Sequence, residues 1–240
     1  MRLPGRILDL FGENAIWSDD HEGLSGETLR VTSPSNVFYV KQGPLARAEH
    51  ERLRWLERWA KVPPVVAFDG DALVLQDVGW RSLERESASP RAGTIMGAAL
   101  RALHGIPVRE CPFDARLDVR LPQARERVRA GLVDAGDFDD DHAGLTPEQV
   151  YERLVAERPA EEDLVVTHGD FTPGNVLAPL TGDPVLIDVS ALGVADRYTD
   201  LAIALRELEG PAVASFLDAY GLPEPDRRRL HYYRLLDELF

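Results

Sequence analysis

Short apolar runs separated by turn residues dominate the first eighty positions, and helical spacing dominates the remainder. Between residues 14 and 43 the pattern predicts three short strands, Ala15 to Ser18, Thr28 to Thr32 and Val37 to Lys41, with a hairpin turn around Pro34-Ser35-Asn36. Helical periodicity follows, with Leu45, Leu53, Leu56 and Ala60 forming the apolar stripe of a helix from about Leu45 to Ala60. Val62-Pro63-Pro64-Val65 ends it and opens a second hairpin, Val65 to Phe68 and Leu73 to Leu75, around an Asp69-Gly70 turn. Gln76-Asp77-Val78-Gly79 then leaves the sheet as a linker. It sets the expected boundary between an N-terminal lobe, residues 1–78, and a C-terminal lobe, residues 79–240.

Beyond the linker the expected elements are helices. Pro90 to His104 carries Ile95, Ala99 and Leu103 as its stripe and closes at Gly105. Arg116 to Leu132 is charged and amphipathic, with Pro122 expected to break or restart it. Thr146-Pro147-Glu148 starts a helix to about Glu157, with a Thr cap and Pro at the first position. Ala195 to Asp200 opens another helix to about Leu208, and Leu230 to Phe240 forms the last. Two apolar runs, Leu164 to Val166 and Val185 to Ile187, read instead as strands. The expected class is therefore α+β, a small antiparallel β-sheet lobe with one helix followed by a mostly helical lobe.

At 240 residues and 44% hydrophobic, the chain can bury a sizeable core as one large domain or two lobes. Its single cysteine, Cys111, excludes an intramolecular disulfide framework and fits a reducing compartment. Neither a signal peptide nor a membrane-spanning stretch is visible, so a cytoplasmic protein is expected. The formal net charge of −14 disfavours a nucleic-acid partner and favours a cationic small molecule. Nothing predicts an oligomer, and a monomer is expected. His21, His50, His104, His142 and His231 show no metal-site spacing.

The chemistry concentrates at Val165-Val166-Thr167-His168-Gly169-Asp170-Phe171-Thr172-Pro173-Gly174-Asn175, followed by Pro184-Val185-Leu186-Ile187-Asp188. Each apolar run leads into an acid, and an Asn lies five residues after the first. A base to orient an attacking hydroxyl and two oxygen ligands for Mg²⁺ are what phosphoryl transfer requires. The catalytic loop of protein kinases spaces its Asp and Asn in the same way, with Arg where Gly169 stands here. Taken singly, Asp170 and Asn175 are also good turn formers. The three features in this order carry the argument.

Other residues fit the same chemistry. Glu49 falls on the helix stripe, where a buried carboxylate needs a partner, and Lys41 at the neighbouring strand end can supply one. Solvation at the margin of the stripe is the other possibility for Glu49. Gly23-Leu24-Ser25-Gly26 offers backbone N–H groups and a hydroxyl to a phosphate, or is an ordinary tight turn. Asp134 to Asp141 holds five acids in eight residues, either a solvated loop or a lid presenting carboxylates to a polyamine. Asp237 and Glu238 add acid near Phe240, awaiting a cationic partner or simply fraying. Asp200 is either a first-turn helix acid or, preferably, a brace for the catalytic-loop backbone.

From about Gly23 to Phe240 the chain resembles the aminoglycoside 3′-phosphotransferases, bacterial kinases with a two-lobed protein-kinase-like fold. The most specific stretches are Gly131-Leu132-Val133-Asp134 with the acidic run behind it, Val166-Thr167-His168-Gly169-Asp170, Leu192-Gly193-Val194-Ala195-Asp196-Arg197-Tyr198, and Leu235-Leu236-Asp237-Glu238-Leu239-Phe240. The resemblance implies transfer of the γ-phosphate of ATP to the 3′-hydroxyl of an aminoglycoside, conferring resistance. Asp170 would accept the hydroxyl proton, and Asn175 and Asp188 would hold Mg²⁺. Lys41, paired with Glu49, would hold the α/β-phosphates, Ser25 and Gly26 would cover the β-phosphate, and Gln76 and Val78 in the linker would face adenine. His168 would be structural. Asp139, Asp140, Asp237, Glu238 and Phe240 match positions that bind the drug's ammonium groups, with Glu207 a looser match.

Two departures stand out. After the metal Asp the family continues x-Gly-Arg, with the Arg lining the antibiotic site, whereas here Val189-Ser190-Ala191 follows. The linker Asp77-Val78-Gly79-Trp80 also differs from the usual pattern. The alternatives are a kinase of another small hydroxylated amine or metabolite, and a non-catalytic nucleotide-binding protein on a kinase scaffold.

Overall fold

The computed structural model describes residues 3–12, 14–18, 28–34 and 36–240. In chain order the first elements are α1 (Gly5–Asp9), β1 (Ile16–Ser18), β2 (Thr28–Thr32), β3 (Val37–Gln42), α2 (Pro44–Leu56), β4 (Val65–Asp69) and β5 (Ala72–Gln76). They are followed by α3 (Pro90–His104), α4 (Leu117–Arg129), α5 (Pro147–Ala156), β6 (Leu164–Thr167), β7 (Val176–Leu177) and β8 (Val185–Leu186). The last four are β9 (Gly193–Asp196), α6 (Tyr198–Glu207), α7 (Pro211–Tyr220) and α8 (Arg227–Asp237). Contacts group these into two units, Met1–Ser82 with Asn175–Ala191, and Leu83–Gly174 with Leu192–Phe240. The segment Asn175–Ala191 thus joins the first unit, although it follows the linker in sequence.

The first unit is built on an antiparallel sheet of order β1-β2-β3-β5-β4. Its strand β5 reads Ala-Leu-Val-Leu without polar interruption because it lies between β3 and β4, and Ala72 to Leu75 are all buried. The β4–β5 hairpin turns at Gly70, whose φ of +67° is cheap only for glycine. A bulge between Val65 and Ala67 leaves Val66 facing solvent. Ile7, Phe11, Val31, Val40, Ala72 and Val74 form a buried cluster of this sheet and α1. Strands β7 and β8 pair with each other, and Leu186 N–H donates to Lys61 O at 3.0 Å.

Helix α2 keeps the face read from the sequence but not its ends. It begins at Pro44 after Gly43, which has φ +109°, and ends at Leu56 rather than Ala60. With that start the buried face is Ala46, Glu49, Leu53 and Leu56, spaced three and four apart, and Leu45 is left 63% exposed.

In the second unit α3 packs along α7, an element the apolar periodicity did not reveal. The contact is close because Gly93 and Gly97 face it. A Cβ on these would meet the carbonyl oxygens of Ala212 and Phe216 at 2.1 and 2.3 Å. Helix α4 continues through Pro122. That residue is past the first turn, so its missing N–H removes one intrahelical hydrogen bond, and buried Leu117, Leu121 and Ala124 hold the helix in place. The capping box predicted at Thr146 is formed, with Gln149 N–H donating to Thr146 Oγ1 at 3.3 Å and Thr146 N–H to Gln149 Oε1 at 2.9 Å. The helix expected from Ala195 begins only at Tyr198, because Gly193 to Asp196 pair with β6 as β9. Helix α8 starts earlier than expected, capped by Asp226, and stops at Asp237. Among the described residues no helix is long and apolar enough to cross a membrane.

Candidate active site

In the first unit the candidate residues converge on Lys41. Strand β3 places it opposite Leu73, and α2 turns Glu49 inward beneath it. Lys41 Nζ donates to Glu49 Oε2 at 2.8 Å, and Glu49 is only 2% exposed. A buried carboxylate is tolerated where a charged donor meets it. Lys41 Nζ also donates to Asp188 Oδ1. Asp188 follows β8 and, among the described residues, is the one non-glycine with positive φ, +57°. Asp tolerates that region better than most residues. Ile187 N–H donates to the backbone oxygen of buried Asn175 at 3.1 Å, so Asn175 and the residue before Asp188 face each other across the open end of the β7–β8 pair. An amide oxygen and a carboxylate are hard donors and suit Mg²⁺. Gln76 ends β5 with its N–H on Pro64 O at 3.0 Å, and Val78 is half-buried in the linker beyond it. Ser25 and Gly26 lie outside the described residues.

In the second unit the catalytic loop leaves β6 at Thr167, whose hydroxyl donates to Gly193 O at 2.9 Å. Asp200, fully buried on the first turn of α6, accepts the N–H groups of His168 and Gly169, both at 2.8 Å. This is the bracing role favoured from the sequence. His168 is buried and its Nδ1 accepts the Asp170 N–H at 3.3 Å, while Phe171 fills the core. Asp170 is therefore aimed by three fixed groups on either side of it.

The brace itself is supported. His104 Nε2 lies 2.9 Å from Asp200 Oδ2, and His104 Nδ1 lies 2.8 Å from the Tyr220 hydroxyl. A carboxylate can only accept, so Nε2 carries the proton and Nδ1 accepts from Tyr220. Arg197 donates to the same hydroxyl at 3.1 Å and to Asp163 Oδ1 at 3.1 Å. Burial pushes the Tyr220 hydroxyl above the usual tyrosine range.

The acidic positions gather in this same unit. Arg206 NH1 meets Asp237 Oδ2 at 2.7 Å and Asp139 Oδ2 at 3.6 Å, while its Nε meets Glu207 Oε1 at 2.9 Å. Burial works against the guanidinium charge, but these carboxylates outweigh it and hold Arg206 above the usual arginine range. Burial pushes the Asp237 carboxyl above the usual carboxylate range; Arg206 opposes this and the charge of Asp170 adds to it. Glu238 accepts the Asp139 N–H at 3.1 Å and faces His142 at 2.5 Å. Asp140 starts a short turn and is exposed. Phe240 is held differently, with its ring 3.4 Å from the Arg120 guanidinium carbon and its backbone oxygen accepting from Arg127 at 2.8 Å.

Sequence reasoning did not find Arg206, His142, His104 or Tyr220. Arg206 follows the apolar run Leu201 to Leu205, and the two histidines have no informative spacing. Their partners lie 31, 96, 96 and 116 residues away, distances that only folding closes.

Residues 17–233 match the profile of the phosphotransferase enzyme family. The chain is 40% identical to an aminoglycoside 3′-phosphotransferase of Streptomyces fradiae, covering 93% of this chain and 95% of that one. A crystal structure of an aminoglycoside 3′-phosphotransferase of type VIII superposes with a TM-score of 0.87 at 35% identity, over 98% of this chain and 97% of that one. An aminoglycoside phosphotransferase from Streptomyces rimosus, in complex with ADP and streptomycin, superposes with a TM-score of 0.79 at 29% identity over 93% and 92%. The α+β, kinase-like fold expected from the sequence is the one observed.

Proposed function

Because the chain belongs to the phosphotransferase enzyme family, we propose that it transfers the γ-phosphoryl group of ATP to the 3′-hydroxyl of an aminoglycoside and so confers resistance to it. The observation that carries this reading is the meeting, in one unit, of a braced Asp170 with an acid cluster whose member Asp237 senses its charge. A polycationic sugar amine would find its ammonium partners beside the base that accepts its hydroxyl proton.

In this reading Asp170 orients the hydroxyl and takes its proton. Asp139, Asp140, Glu207, Asp237, Glu238 and Phe240 hold the substrate, with Arg206 setting the spacing of three of the acids. Lys41, aimed by Glu49, binds the α/β-phosphates and must exchange Asp188 for them. Ser25, Gly26, Gln76 and Val78 complete the nucleotide contacts. Asn175 and Asp188 would hold Mg²⁺, which would supply positive charge to offset the negative charge developing on the transferred phosphoryl group. Little covalent chemistry is asked of the protein, so positioning and electrostatics supply the rate. The site of action would be the cytoplasm.

The test is Mg-ATP turnover with two aminoglycosides, one bearing and one lacking the 3′-hydroxyl. Turnover confined to the first is expected, and turnover with neither would remove the substrate assignment. One observation favours a second reading, a kinase of another hydroxylated amine. Ser190 and Ala191 follow Val189 where the family carries Gly-Arg, so one antibiotic-lining cation is missing.

A further inference from the structure

The residue directly after the acidic run is buried, and it is not an acid. Asp139 opens a tight turn, His142 N–H donates to Asp139 O at 2.8 Å, and the turn drives the His142 ring inward until it is 2% exposed. There it meets Glu238, the residue just after α8, whose side chain is 5% exposed. Glu238 Oε1 takes two donors, His142 Nδ1 at 2.5 Å and Asp139 N–H at 3.1 Å.

The proton positions follow from the partners. A carboxylate can only accept, so Nδ1 carries the hydrogen. His142 Nε2 is buried without a hydrogen-bond partner among the described residues, and the His231 ring lies 5.4 Å from the His142 ring centre to centre. A second N–H at Nε2 would bury an unmatched donor, whereas a bare nitrogen there is the cheaper state. The ring is thus the neutral Nδ1–H tautomer. It fixes one oxygen of Glu238 without cancelling its negative charge. Arg206 treats Asp237 in the opposite way, placing a full positive charge 2.7 Å from it.

We infer that His142 is a positioning residue for substrate binding: it anchors Glu238 Oε1, so that the Glu238 charge stays available to a substrate ammonium group, and it locks the acidic loop to the end of α8. The inference rests on the proposed aminoglycoside reading and adds a residue to it. One ligand atom from each of Asp139, His142 and Glu238 lies within 4.8 Å of the others, a spacing a metal ion could also use. Two donors already share Glu238 Oε1, however, and the Arg206 cation stands 3.6 Å from Asp139.

A double-mutant cycle tests it, with steady-state kinetics on the 3′-hydroxyl aminoglycoside of the turnover assay and melting curves to verify folding. His142→Leu should raise the aminoglycoside KM about tenfold, the scale expected for losing a hydrogen bond to a charged group. The ATP KM and kcat should stay within about twofold. His142→Asn, whose amide N–H replaces Nδ1–H, should recover most of the loss. Glu238→Gln should raise the same KM, and adding His142→Leu to it should do little more. Additive losses, or a fall in kcat matching the rise in KM, would reduce His142 to a structural residue. If Glu238→Gln alone weakens binding and His142→Leu does not, the inference fails while the substrate reading stands. If Glu238→Gln leaves the aminoglycoside KM unchanged, Glu238 is no substrate contact and the inference falls, whereas absence of turnover by the unaltered enzyme would remove the substrate reading beneath it. Should the Leu variant not fold, His142→Gln, with its donor displaced from the Nδ1 position, takes its place in the cycle.

Discussion

Two neighbouring regions of the second unit handle buried charge in opposite ways. Around Asp200 each donor meets an acceptor: two backbone N–H groups and one imidazole N–H converge on a carboxylate with no exposure, and His104 is itself held by Tyr220. Around Arg206 three carboxylates, of Asp139, Glu207 and Asp237, share one guanidinium, and exposed Asp140 lies beside them. The first region is saturated by hydrogen bonds and has no need of a ligand. The second keeps a surplus of negative charge that a polycation would relieve. A catalytic base has to be held still, and saturated hydrogen bonds do that. A substrate with several ammonium groups is recognised by charge left unmatched.

The largest effect should come from the residue both regions serve. Asp170→Ala should lower kcat by about a hundred- to ten-thousand-fold, the range for losing a general base. ATP binding, followed by calorimetry, should be retained, and wild-type-like turnover would remove the mechanism. Next, Asp200→Asn should strike the saturated region. It leaves buried donors facing an amide N–H, at a cost of about 1–3 kcal/mol. For a chain of this size that lowers Tm by about 2–4 °C per kcal/mol. The fall in turnover should appear in kcat rather than in the aminoglycoside KM.

Asp237→Asn sharpens the contrast from the other side. Folding raises the Asp237 carboxyl above its ordinary 3.8, through burial first and the charge of Asp170 as well. A group shifted this way favours folding while protonated. Its contribution is complete below the unfolded value and is lost as pH rises through the folded one. Denaturant titrations from about pH 4 upward should therefore show a flatter loss of stability for the variant, while its aminoglycoside KM rises. The smallest effect belongs to solvent. The surplus charge is partly exposed, so raising ionic strength from about 0.05 to 0.5 M should increase the aminoglycoside KM severalfold with kcat unchanged. A KM indifferent to salt would mean that unmatched charge does not recruit the substrate.

The local order of the chain decided a good deal of this. Strands β2 to β5, helix α3 and the capped start of α5 stand where apolar spacing and turn residues put them, because those signals lie within a few residues of one another. The sequence of His168-Gly169-Asp170, Asn175 and Asp188 marked out phosphoryl-transfer chemistry before any fold was known, since that chemistry needs a fixed order of oxygen donors. Even the Lys41–Glu49 pair was legible, eight residues apart on a strand and the helix after it.

Tertiary structure decided what depended on distant partners. It left Leu45 exposed on the first turn of α2 while burying Glu49 one turn on, and it made a strand of Gly193 to Asp196 by offering β6 as an edge. It carried α4 through Pro122 by burying one face of it, and brought out α7 against two glycines of α3. His104 on Asp200, Arg206 among three acids and His142 on Glu238 left no local trace, because an isolated histidine or arginine acquires its role from the charge that folding sets against it.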